Sequence, residues 1–264
     1  MGDADEVELL RRRALDEHGR IDVWISAAAA VTAGALVDQP VAEVETLFRT
    51  NVIGAALGAR AALATFEEQG AGDLILIASL LGVVPNPVVP TYVASKFAVR
   101  GLALSLRQGV AGQRDVHVSC VLPGPIDTPL FQRAGDHTGR RLRSIPPAIA
   151  PERVAAAVVR CVSHPRRQVV VGVVPRLVVV LHRLAPRAVE WGAGTYAALA
   201  ITTGGPEAEG SGTVLEPGAD GGAVQGGWRR GGARRRLGSW IGSARAARSA
   251  GPVRQPEEPA GGTG

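Results

Sequence analysis

Tyr92 and Lys96 lie four residues apart in TYVASKFAVRG, and both residue types are rare here. The chain has 2 tyrosines, and of its 29 lysines and arginines only Lys96 is a lysine. A spacing of four sets both side chains on one face of a helix. A tyrosine beside a fixed cation can exchange a proton with a reacting oxygen, because the cation favours the phenolate and lowers a pKa that is ordinarily about 10. Ser79, thirteen positions before Tyr92, can offer a preorganised hydrogen bond to the same oxygen. Asn51 is an amide in a helical stretch, where it is a mediocre helix former, and it can hold a water in a proton relay behind the lysine. This set suits hydride transfer to or from a carbonyl, since the alkoxide that forms needs a proton donor in register with it. One lysine kept where every other cation is arginine marks a demand that a guanidinium does not meet equally well.

The elements that must position these residues alternate. Residues 4–18 carry Val7, Leu10 and Ala14 at helical spacing. RIDVWISAAAA (20–30) is an apolar run ending in small residues, which predicts a buried parallel strand. A helical period then runs through 40–70, with Asn51 inside it. GDLILIAS (72–79) predicts a second strand ending at Ser79, and a helix is predicted over about 92–110. DVHVSCVL (115–122) predicts a third strand, closed by PGPIDTP. A helix over 151–163, a fourth strand over 168–174 and one or two helices to about 200 complete the pattern. Strands alternating with helices predict an α/β fold with a doubly wound parallel sheet. In such sheets, sites form at the carboxyl ends of the strands. Ser79 and the turn at Pro123–Gly124 both stand there.

These residues and segments resemble the short-chain dehydrogenase/reductase (SDR) family. Ser79, then Y-x-x-x-K as Tyr92–Lys96, N-V-I-G at 51–54 and P-G-P-I-D-T at 123–128 match its motifs in order. The resemblance covers about residues 4–185. It implies a Rossmann-like fold, NAD or NADP as cofactor, and interconversion of a secondary alcohol and a ketone. It also implies a catalytic set of Asn51, Ser79, Tyr92 and Lys96, with tyrosine as acid/base, serine positioning the substrate oxygen and asparagine supporting a water relay. Lys96 would lower the tyrosine pKa and bind the nicotinamide ribose. Cofactor contacts are expected from Tyr92, Lys96, Pro123, Gly124, Ile126 and Thr128. The family's usual dimer faces map to the helices at 41–69 and 92–110, so a homo-oligomer is expected. The apolar stretch Leu177–Leu184 lies where the family shapes its substrate pocket, which implies an apolar alcohol or ketone, of alicyclic or steroid-like kind.

Two departures accompany the resemblance. The family's T-G-x-x-x-G-x-G loop, whose amides receive the pyrophosphate at a helix N-terminus, does not occur in the sequence. An N-terminally truncated member is therefore expected, short of about 60 residues by the size of βαβ units. Ser26–Ala29 replaces the family's Asn-Asn-Ala-Gly. The choice between NAD and NADP is not legible, and cofactor binding itself is in question. The alternatives are a non-catalytic SDR remnant or oligomerisation partner, with the strand at 21–28 as an apolar edge, and a longer protein whose start lies upstream.

Composition bounds the rest. A 46% apolar content supports a packed core, while the formal charge of +5 is concentrated late: residues 228–254 carry eight arginines. From about 204 the sequence is Gly-, Arg- and Pro-rich, predicting a body of 1–203 and a disordered tail of 204–264. Trp228 and Trp240 interleave with tail arginines, a pattern that can hold RNA or an anionic membrane, although a solvated tail without a nucleic-acid partner is the expectation. Cys120 and Cys161 sit singly in apolar runs and read as buried thiols. No His/Cys spacing suggests a metal. The most apolar segment, 169–181, is too short to span a bilayer. A cytoplasmic protein is expected.

Overall fold

The computed structural model describes residues 2–201, 205–216, 218 and 222–229. The chain forms two units, Met1–Arg229 and Arg230–Gly264; the second, with Trp240, lies outside the described residues.

Chain order in the first unit runs α1 (Ala4–His18), β1 (Val23–Ser26), β2 (Thr32–Ala33), α2 (Val41–Phe48), α3 (Gly54–Gln69), β3 (Gly72–Ile77), α4 (Pro90–Gly109), β4 (Val116–Pro123), β5 (Gly135–Asp136), α5 (Pro151–Ser163), β6 (Val169–Val171), α6 (Val173–Leu184) and α7 (Pro186–Ile201). Local chemistry sets several boundaries. Asp3 caps α1 by accepting from the amides of Asp5 and Glu6, and Gly19 closes it in the left-handed region at φ 74°. Proline opens α4 and α5, where the missing N–H costs nothing.

Strands β1, β3, β4 and β6 make a parallel sheet in the order β1-β3-β4-β6, with Ile75 beside Ile25 on one side and Ser119 on the other. Alternation along β3 divides the core. Leu74 and Leu76 face α1, α3 and α4, where they meet Trp24, Phe66 and Val99. Ile75 faces α5 and meets Val121, Val158 and Cys161. Layers of helices thus cover both faces of the parallel sheet, the α/β architecture that the alternation predicts. Both cysteines are free and buried.

The structure departs from the sequence reading in four places. The helix expected over 40–70 contains a π turn at Arg49–Ile53, which holds Asn51. The strand expected over 168–174 ends at Val171, because Gly172 takes φ 104°, and the apolar run continues as α6. A short parallel pair, β2 with β5, ties Thr32–Ala33 to Gly135–Asp136. Finally, the boundary expected at 203/204 falls at 229/230. Over 205–229 the described residues engage the body: Gly210 pairs with Asp136, Val214 is buried, and the Trp228 amide donates to Asp127 at 2.7 Å. The Trp228 indole also donates to the Thr128 carbonyl at 2.8 Å, so this tryptophan is anchored rather than solvated. Acceptors on Asp127 and Thr128 receive this segment, and composition does not display them.

Phe66 is fully buried beneath the sheet, against Gly72. Phe66→Ala is expected to lower unfolding free energy by about 3–5 kcal/mol, measured by urea denaturation followed by circular dichroism.

Candidate functional site

Ser79 follows β3 and starts a tight turn by accepting from the Leu81 amide at 3.1 Å. Gly82 in that turn passes close to α4: a Cβ there would lie 2.7 Å from the Lys96 carbonyl, so only glycine lets the turn approach this helix. Tyr92 sits in the first turn of α4 and shares a hydrogen bond with Ser79. Lys96, one turn on, donates to the Ile77 carbonyl at 3.1 Å, and its Nζ lies 5.5 Å from the Tyr92 ring centroid. Tyr92 is 9% exposed and Lys96 3%.

Burial dominates the electrostatics of this pair. It pushes the Tyr92 phenol up to about 12, with the Ser79 hydrogen bond opposing, and pushes the Lys96 ammonium down to about 8, with Cys120 opposing. The sequence led us to expect Lys96 to pull the tyrosine down. Here burial is the larger influence on the phenol, while the ammonium bonds the Ile77 carbonyl.

Ser79, Tyr92 and Lys96 share one cavity with Pro123, Gly124, Ile126 and Thr128, and its volume is about 660 Å³. Its remaining wall is largely apolar, including Val84, Leu130, Phe131, Val154 and Val178. The turn at Pro123–Thr128 is held by Asp127, whose amide donates to the Ile149 carbonyl at 2.8 Å. Gly124 packs against Pro175, which leaves no room for a side chain.

Asn51 stands apart. Its side chain is spent on the backbone and on α4: Oδ1 accepts from the Ala30 amide at 2.7 Å, and Nδ2 donates to the Ala30 carbonyl and to Ser95 Oγ, each at 2.9 Å. Ser95 in turn donates to the Tyr92 carbonyl at 2.7 Å. The amide therefore joins the loop after β1 to the helix carrying Tyr92. Ser95 was missed in the sequence, where a serine between tyrosine and lysine carries no signal until its partner is known. The Ala27–Ala30 loop supplies backbone groups and a low wall, with Ala27 and Ala29 lining the cavity.

Because Lys96 is the only lysine, a ¹³C-lysine label gives one titration curve for this site. The expected midpoint is about 8, against an ordinary value of about 10.4. Between those values the unfolded chain holds a proton that the native lysine has released, so Lys96 makes stability rise with pH over that window. A midpoint above 10 would refute the burial argument. Asn51→Ala strands the Ala30 amide and carbonyl and is expected to cost about 1–3 kcal/mol in thermal or urea unfolding.

Among known proteins, the sequence pattern of the short chain dehydrogenase family matches residues 1–139. An uncharacterized oxidoreductase, YxnA of Bacillus subtilis, is 32% identical over 190 residues, covering 71% of this chain and 53% of that protein. The 3-ketodihydrosphingosine reductase of Bos taurus is 29% identical over 161 residues, covering 60% of this chain and 48% of its own length. The chain spans about half the length of these two relatives. A solved short-chain dehydrogenase from Streptomyces avermitilis shares the fold, with a TM-score of 0.61 at 24% identity, covering 74% of this chain and 77% of that one. With the Y-x-x-x-K helix, the serine at the end of β3 and the Pro-Gly turn after β4 converging on one cavity, these matches place the chain in the short-chain dehydrogenase family of oxidoreductases.

Proposed function

We propose that the chain carries the proton-transfer centre of an NAD(P)-dependent oxidoreductase that interconverts an apolar secondary alcohol and its ketone. The observation that carries this reading is the meeting of Ser79, Tyr92 and Lys96 on the wall of one mostly apolar cavity of about 660 Å³. The fit to a nicotinamide cofactor rests on the donors present. Lys96 Nζ has three N–H groups, and the Ile77 carbonyl takes one, leaving donors for a ribose diol. Tyr92 and Thr128 add hydroxyls on the same cavity. The bound cofactor would supply or accept the hydride.

The chain's own residues do the rest. Ser79 orients the substrate oxygen through its hydroxyl, which the Leu81 amide already fixes from one side. Tyr92, neutral well above physiological pH, gives its proton to that oxygen as a ketone is reduced and receives it back when an alcohol is oxidised. Lys96, with its lowered pKa, carries a proton readily in either direction. The apolar wall excludes water and selects substrates without charge. A relative named as a ketone reductase supports the same direction.

The test is nicotinamide absorbance with a panel of apolar secondary alcohols and their ketones, alongside cofactor binding by fluorescence titration. Tyr92→Phe should abolish turnover. Ser79→Ala should reduce kcat by about 10²–10³-fold, the usual cost of one such donor. Oxidation should accelerate toward alkaline pH, since it needs the phenolate, while reduction should not. Absence of nicotinamide binding would overturn the proposal. A homo-oligomer through α2–α3 and α4 belongs to the same reading, supported by exposed Ile53 and Phe97 on these helical segments. Light scattering reporting a monomer would remove it.

A further inference from the structure

The pair α6–α7 carries an apolar face on its outside as well as on its inside. Val173, Leu177, Val180 and Leu184 recur at the three- and four-residue steps of one helical stripe, and all are more than half exposed, Leu184 to 77%. Trp191 on α7 is 78% exposed. Soluble surfaces seldom leave so many large apolar side chains together without a partner. Among the described residues no helix is long and apolar enough to cross a membrane, so this face lies on something rather than through it.

Charge indicates what that is. Arg176 and Arg183, seven residues apart, form a row beside the stripe, and Arg187 lies in the first turn of α7; all three are exposed. Glu190 is the only acidic residue of α6–α7, and His182 engages it at 2.9 Å. Arg167 and Arg183 also lie near enough to Arg100 to add to burial in lowering its pKa. A second copy of the same face would set arginine against arginine, which argues against self-association. An apolar stripe bordered by arginines, with an exposed tryptophan, matches the interface of an anionic bilayer.

We propose that α6–α7 docks the protein on anionic lipid surfaces, with Val173, Leu177, Val180, Leu184 and Trp191 entering the headgroup boundary and Arg176, Arg183 and Arg187 meeting the lipid charges. The inner side of the same pair lines the cavity, and Val174 and Tyr196 belong to both the cavity wall and the exposed surface. Docking therefore sets the cavity rim beside the bilayer, where an apolar alcohol or ketone is dissolved. The surface stands on the helix face alone; its use as an entry path rests on the substrate reading above.

The full chain is sedimented with vesicles of phosphatidylcholine, with and without phosphatidylglycerol, so the outcome is independent of turnover. The expected result is co-sedimentation that needs phosphatidylglycerol and weakens as salt screens the charges. Leu177→Glu with Leu184→Glu, both at exposed positions and checked by circular dichroism, should abolish it. Arg183→Gln and Arg187→Gln should each weaken binding about fivefold, from about 1 kcal/mol per basic residue. The proposal is overturned if the wild type does not sediment. It is also overturned if the double glutamate variant sediments as well as the wild type, because the unchanged arginine-rich residues after 229 would then carry the binding. A wild-type dimer that the glutamates dissociate, without vesicle binding, would assign the face to self-association instead.

Discussion

The Lys96 ammonium sits almost without solvent between the Ile77 carbonyl and the Tyr92 ring, and the arrangement around it follows from keeping a cation there. A buried charge must be hydrogen-bonded or shed its proton, and this one does part of each: it bonds the last carbonyl of the central strand, and its pKa falls to about 8. That bond fixes α4 against the carboxyl end of β3. The same register brings Tyr92 to Ser79, since both flank that strand end. Ser79, Tyr92 and Lys96 are therefore held by the fold's central packing, an arrangement that would preorganise them for the proton transfer proposed above.

Close backbone approach makes this possible. The turn after Ser79 can lie against α4 only because Gly82 has no side chain to meet the Lys96 carbonyl. On the other side of α4, Asn51 fastens the Ala30 backbone and Ser95 together. A π turn aims the amide there; such single-turn π bulges often occur at functional sites. Asn51 thus supports the tyrosine's helix through positioning, whereas Ser79, Tyr92 and Lys96 face the cavity.

The cavity and the outer helix pair share one economy of apolar side chains. α6 buries Pro175 and Val179 and leaves a second stripe in the open. A helix that is apolar nearly all round needs cover on both sides. Inside, that cover is the largely apolar cavity wall, which fits the apolar substrate proposed above. Outside, the arginine row and the lack of unpaired acid on the pair point to an anionic surface.

Much of the fold was legible in residue order alone. Runs such as GDLILIAS and VHVSCVL, short, β-branched and bounded by turn signals, read as strands buried on both faces, and the intervening 3.6 periods read as helices covering them. The placement of Tyr92, Lys96 and Ser79 was legible too, because a spacing of four on a helix and a position at a strand end are local facts. What tertiary structure decided is what depends on distant partners. The π turn at Asn51 answers to Ala30 and Ser95, and the break at Gly172 to a φ of 104° that residue order does not disclose. Trp228 comes back to Asp127 and Thr128 from a hundred residues away, despite a composition that suggested no packing. The tyrosine pKa is the clearest case. The motif says that a cation is near, but the burial that pushes the phenol up exists only in the packed structure.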